Sequence, residues 1–396
     1  MSALAGIRVL DLSSVLMGPL AARVLGDMGA DVIKVESPEG DALRNVGPMR
    51  SPGMGPLYYN ANRNKRSVAL DLKSQPGKEA LRKLVAGADV LLYNIRPRSL
   101  ERLGFGYEAC YAINPRIIHV GAYGFGQDGP YAARPAFDDL IQGLSGIPSL
   151  IASASKSGNP QYIPLAMADR FVGLAVANAI LGALVHQVRT GEGQAIEVPM
   201  FETMAETVLG DHSGGHLFDP PIGPPGYPRS RAPERRPYKT RDGFICVMLY
   251  SDRHWRDFFA IVGSDLPRTD PRFANLTQRT LNASAIHTIL EEHLAQRSTG
   301  EWLRVLEEAD IPAGRLHTLE TLADDEHLKQ VGFFRYVDDP NEGRVRMLRN
   351  PANWSRTPPV YERFPPRIGE HTREVLREAS FDDEEIDRMI ESRAAR

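Results

Sequence analysis

An α/β fold is what this sequence predicts: an open, Rossmann-like parallel sheet in a large domain, with a smaller α+β domain. Three observations predict it. Short apolar runs rich in Val, Ile and Leu recur through the first half of the chain, as in strands buried on both faces of a parallel sheet. Stretches with helical spacing separate them, and such repetition implies right-handed crossovers. At 396 residues the chain exceeds one ordinary core, and a proline-dense segment marks where it divides.

The candidate strands come in order as IRVLDLS (7–13), DVIKVES (31–37), SVALDL (67–72), DVLLYNI (89–95) and IIHVGAY (117–123). GKEALRKLVAGA (77–88) has apolar positions at helical spacing and ends at Gly87 and Ala88. From Asp169 to about Gln187 the chain is apolar on nearly all sides, which predicts a buried helix. Gly173, Ala177 and Gly182 would let other backbones approach it. RTGEGQ (189–194) ends that helix, and QAIEVPM (194–200) reads as a further strand. Seven of the 30 prolines fall in residues 219–237, a density that excludes regular structure and implies a stiff linker. A strand at FICVMLY (244–250), a helix from Trp255 to Val262, more helix over 283–309 and an acidic terminal helix follow. The expected division is a large domain over 1–218, a linker over 219–237 and a small domain over 238–334.

A net charge of -3 leaves no basic excess for nucleic acid or an anionic membrane. The only cysteines, Cys110 and Cys246, show neither pairing nor metal spacing, so no disulfide framework and no metal site are expected. No signal-peptide pattern is recognisable, and no stretch is read as long enough to span a bilayer. A reducing, cytoplasmic setting is expected.

GFGQDG (124–129) matches the dinucleotide fingerprint, but that motif belongs at the first strand–helix turn and must open a helix, whereas Pro130 follows here. The glycines are expected to shape a loop at the carboxyl edge of the sheet. His119 and His186 read as satisfied core histidines. Asp169 admits two readings. It is a good N-cap for the long helix, and a helix N-terminus would also keep its carboxylate ionised for nucleophilic attack. Lys34, Lys73, Arg96, Arg98 and Arg102 recur at strand ends, where α/β sheets bind ligands; there they read either as solvated surface charge or as partners for a phosphate-bearing ligand.

The motifs resemble the family III CoA-transferases, the group of formyl-CoA transferase and carnitine CoA-transferase. The matching segments are RVLDLSSVLMGP (8–19), LGDMGADVIKVE (25–36), NRNKRSVALDLK (62–73), DVLLYNIRPRSLERLG (89–104), NPRIIHVGAYGFGQDGP (114–130), the region around Asp169, TGEGQAIEVPMFE (190–202), IPAGRLHTLETLADDEH (311–327) and GEHTREVL (369–376). They come in family order over nearly the whole chain. The resemblance implies that Asp169 is the nucleophile, passing through a mixed anhydride and an aspartyl-CoA thioester. No metal or redox cofactor is implied; coenzyme A is itself the substrate. The family's CoA contacts fall by position on Val15, Leu16, Met17, Leu70, Lys73, Asn94, Ile95, Arg96 and Arg102. The resemblance also implies that 335–396 completes the large domain. Two ring-shaped chains interlinked as a homodimer are implied as the assembly, with an acyl-CoA and a small carboxylic acid as partners. Succinyl-CoA is the donor that analogy suggests. Ser37 stands where formyl-CoA transferase has an arginine near the adenine, Leu16 replaces its glutamine, and its glycine-rich covering loop is not evident. These departures bear on oxalate and formate specificity and leave the reaction class alone.

The nearest rival is a 2-methylacyl-CoA racemase, which needs an acid–base group on each face of the substrate carbon. The loop before the long helix reads RPAFDD, with Phe137 where that chemistry places a histidine. A CoA-binding homologue without catalysis is a further alternative, against which the retained Asp169 speaks. A dehydrogenase would need glycines in residues 13–18, where SSVLMG supplies one. His212, Tyr250, Arg253 and the linker arginines are candidate contacts for the acceptor acid.

Overall fold

The computed structural model describes residues 2–396. It divides into two compact units. The first comprises residues 1–144, 165–205 and 327–396, and the second 145–164 and 206–326. The 145–164 segment thus goes with the second unit, although the sequence reading places it inside the large domain.

The first unit is built on six parallel strands: β1 (Arg8–Asp11), β2 (Asp31–Glu36), β3 (Lys65–Ala69), β4 (Val90–Tyr93), β5 (Ile118–Tyr123) and β6 (Gln194–Pro199). Their order is β3-β2-β1-β4-β5-β6. Leu10 pairs with both Ile33 and Leu91 at the centre, and all three are fully buried. One core cluster joins them to Leu81 and Leu84 of the helix Gln75–Ala86 and to Val375, Leu376 and Ile386 near the C-terminus. That tail is tied to β3 by backbone hydrogen bonds, His371 N–H to Ser67 O at 2.9 Å and Arg396 N–H to Ala69 O at 3.1 Å. β3 starts two residues before the expected 67, because Lys65 and Arg66 are buried within it. Their charges are met by Asp11 and Asp31.

The long helix runs Met167–Thr190. By length and composition it could cross a membrane, contrary to the expectation from sequence. Val172, Val176, Ile180 and Leu184 form its buried face. Gly173 lets it approach the helix Met17–Asp27 closely: a Cβ there would stand 2.7 Å from the carbonyl oxygen of Met17. Gly182 meets nothing within 4 Å. The helix is not wholly buried, since Leu174, Val185 and Val188 are exposed.

The second unit contains β7 (Tyr238–Lys239), β8 (Phe244–Val247) and β9 (Ala313–Arg315) as an antiparallel sheet. It packs on the helices Asp252–Ile261, Ala283–Leu294 and Thr299–Glu308 through Ile245, Trp255, Phe258, Leu290 and Trp302. The proline-dense segment is less irregular than expected. It holds a one-turn helix, Pro228–Arg231, whose first residue is a proline, where the missing N–H costs nothing.

Candidate active site

The strand order reverses between β1 and β4, and in open α/β sheets ligands bind outside the carboxyl ends at such a point. Two clefts open there. The first, of about 360 Å³, is lined by Ser14–Met17 after β1, Asn94 and Arg96 after β4, the loop after β5, and Asp169. The second, of about 460 Å³, is lined by residues following β1, β2 and β3, among them Ser37, Leu70 and Lys73, and by Ile95. Ser14 lines both. The Asn94 amide donates to its carbonyl at 2.8 Å and accepts from its N–H at 3.0 Å.

A network of buried charges adjoins the clefts, and its Lys34 and Asp41 line the second. Lys34 Nζ donates to Asp41 at 3.0 Å and to Ser13 O at 2.9 Å. Lys65 Nζ donates to Asp11 and Pro19 O at 2.8 Å and to Asn62 at 2.9 Å. Buried ions persist only when paired in this way. Burial pushes the Asp11 carboxyl up, but the Lys65 and Lys34 ammoniums outweigh it and hold it below the ordinary range. Lys65 is pushed down to about 8, by burial first and then by Lys34, against the pull of Asp11. The Asp41 carboxylate accepts the Val15 N–H at 3.2 Å. Val15 needs that anchor, because its φ is 68°, a left-handed conformation costly for a β-branched residue.

Asp169 is the third residue of its helix and does not cap it. The N-cap is Ala166, without a side-chain bond. The Asp169 N–H donates instead to Asp138 Oδ1 at 2.8 Å, so a distant carboxylate serves the helix end. The helix N-terminus does not hold the Asp169 carboxyl below the ordinary carboxylate range. Burial, then the Asp138 charge, pushes its carboxyl up to about 6 against the pull of Arg170. At pH 7 roughly nine-tenths of it is still the carboxylate.

Of the positions named from sequence, Val15, Leu16, Met17, Asn94, Arg96 and Asp169 meet in the first cleft, and Leu70, Lys73 and Ile95 in the second. Arg102 lines neither; it is exposed, with Nη2 on Ser99 Oγ at 3.2 Å. Lys34 is a structural cation, fully paired and 1% exposed. Arg98 is exposed outside both clefts. His119 is buried, with Nε2 on Phe105 O at 3.0 Å. His186 is exposed, so it is not a core histidine. Phe137 lines the first cleft and is 71% exposed; no histidine is among the described residues lining it.

The glycine loop after β5 turns its N–H groups to carboxylates, Gly126 to Glu202 at 2.9 Å and Gln127 to Glu197 at 2.7 Å. Acids in those places would repel a pyrophosphate, which disposes of the dinucleotide reading. Sequence reasoning passed over Asp138 and Asp41. The FDD run that opens the helix Asp138–Leu144 was the visible signal for the first. Nothing in the order of residues ties Asp41 to Val15.

Comparison with known proteins adds three findings. A family model described as CoA-transferase family III matches residues 4–372. A succinate–glutarate CoA-transferase of Agrobacterium fabrum is 34% identical over 95% of each chain, and an (R)-2-hydroxy-4-methylpentanoate CoA-transferase of Clostridioides difficile is 30% identical over 99% of each. The crystal structure of a CAIB/BAIF family protein from Brucella suis superposes with a TM-score of 0.79 at 32% identity, covering 96% of this chain and 99% of that one.

Proposed function

This chain belongs to CoA-transferase family III, and we propose from that membership that it moves coenzyme A between carboxylic acids by way of a covalent intermediate on Asp169. The observation that carries the reading is the place of that carboxylate. It lines a cleft at the switch point of the sheet together with Asn94, Arg96 and the turn after β1.

A carboxylate Oδ of Asp169 attacks the thioester carbon of an acyl-CoA. The carbon–sulfur bond breaks, giving a mixed anhydride and the CoA thiolate. The thiolate attacks the aspartyl carbonyl carbon, releasing the donor acid and leaving an aspartyl-CoA thioester. The acceptor carboxylate attacks that thioester, and the thiolate then takes the acceptor's acyl group and frees Asp169. Each step exchanges one acyl bond for another. The pantetheine end enters the first cleft beside Val15, Leu16, Met17 and Asn94. Lys73 and Arg96 supply cations for phosphate or carboxylate, and Leu70 and Ile95 supply apolar contact.

The acceptor we propose is a small dicarboxylic acid of the succinate and glutarate class with succinyl-CoA as donor, which the name of the Agrobacterium relative supports. The working molecule is the interlinked ring homodimer, supported by the exposed apolar side chains along Met167–Thr190, which a soluble monomer has no reason to leave uncovered. Phe137 at the cleft offers no proton-shuttling imidazole, which weighs against racemisation.

The test supplies succinyl-CoA or acetyl-CoA with a panel of acids and identifies the thioesters by mass spectrometry. New thioesters are expected with wild type and none with Asp169→Ala, which retains CoA binding. Transfer by Asp169→Ala at the wild-type rate would remove the nucleophile. Deuterium exchange at the α-carbon of a 2-methylacyl-CoA without any acceptor would favour the racemase.

A further inference from the structure

The second unit has a cavity of its own, of about 270 Å³, lined entirely by its own residues. Arg229, Arg235, Arg236 and Arg279 line it, and no carboxylate is among its described lining residues. Two of these cations are matched nearby, Arg236 by Glu291 at 2.8 Å and Arg279 by Asp252. The other two pair with no acid among the described residues. Arg229 is half-buried, and the one partner of its guanidinium is the thioether sulfur of Met248 at 2.8 Å, a weak acceptor. The Arg279 Nε is buried without any partner, in a residue only 6% exposed.

A neutral pair completes the polar side. Burial, then the charges of Arg229 and Arg235, pushes the His287 imidazole down to about 4. The Tyr238 hydroxyl, which burial keeps protonated, bonds to His287 Nδ1. The neutral ring keeps one donor and one acceptor nitrogen beside the arginines. The remaining wall is apolar, formed by Leu249, Trp255, Ile286 and Leu290.

A half-buried guanidinium without an acid, Arg229, with the exposed Arg235 beside it, is matched by an anion, and an apolar wall rewards a ligand with a hydrocarbon body. We propose that this cavity binds a small carboxylic acid, its carboxylate on Arg229 and Arg235 and its apolar body against Trp255. A volume of about 270 Å³ suits a simple organic acid. The proposal does not depend on the role of Asp169.

Trp255 makes the site observable. The full-length protein is titrated with hexanoate, benzoate, glutarate and inorganic phosphate while tryptophan emission is followed, with calorimetry in parallel. Hexanoate or benzoate should bind saturably and more tightly than phosphate. Arg229→Gln and Arg235→Gln should each weaken that binding about tenfold or more. Trp255→Phe should abolish the emission change but not the heat. Asp169→Ala should bind as wild type does, so failure here and failure of the transfer mechanism can be told apart. Arg235 is exposed, so its variant is expected to fold even if the Arg229 one does not. The proposal is overturned if no acid binds saturably, if the arginine variants bind unchanged, or if phosphate binds as tightly as the carboxylates.

Discussion

Burial and the neighbouring Asp138 oppose the very charge that Asp169 would need in its proposed role as nucleophile. The folded carboxyl titrates at about 6 instead of 3.8, so the folded state binds this proton more tightly than the unfolded chain does. The resulting stabilisation is full below the unfolded value and is lost as pH rises through about 6. Above that, Asp169→Asn should be more stable than wild type by about 1–3 kcal/mol while transfer is abolished. Thermal unfolding should show the gain at pH 7 and little of it at pH 4. The rate of the first half-reaction, followed in single turnovers, should rise as pH passes about 6 and then level off. Asp138→Asn keeps an oxygen for the Asp169 N–H but removes the charge, so that rising limb should move to lower pH. The sequence displayed which aspartate stands out, but not its station in the helix. Where a helix begins depends on backbone dihedrals at Ala166, and Asp138 is 31 positions away.

The strands were legible because a parallel sheet covered on both faces demands unbroken apolar runs. The exception is instructive: Lys65 and Arg66 are charged, so the apolar pattern places β3 two residues late. Their burial depends on carboxylates from β1 and β2, a non-local fact. The long helix was legible in length and apolarity, but its exposed side was not. Gly173 is the point where it meets the helix Met17–Asp27. Gly173→Ala should cost about 1–3 kcal/mol, since the clash is with backbone that cannot rotate away. It should also weaken CoA binding, because Met17 lines the first cleft. Urea unfolding and a CoA titration check the two effects separately. A destabilised variant with unchanged CoA affinity would detach the helix contact from the site.

At the scale of the molecule, the family and the α/β class were legible from motif order, and the path of the chain less so. Residues 145–164 join the second unit because their packing partners come from later in the chain, which periodicity cannot reveal. Nor does a single chain explain why an apolar helix keeps Leu174, Val185 and Val188 on the outside. Sedimentation should give twice the chain mass at micromolar concentration. Charged substitutions at Val185 and Val188 should lower it to one chain if these residues lie in the interface, whereas a wild-type monomer would remove the proposed assembly.

The bond pair between Ser14 and Asn94 carries a practical corollary. It sits where the two clefts meet, and apart from Ser14 the two have different lining residues. If coenzyme A lies as proposed, an engineer could redraw the acyl end at Leu16 and Phe137 in the first cleft while leaving Leu70 and Lys73 in the second untouched. Substrate range in this scaffold would then drift quickly while its carrier stays constant.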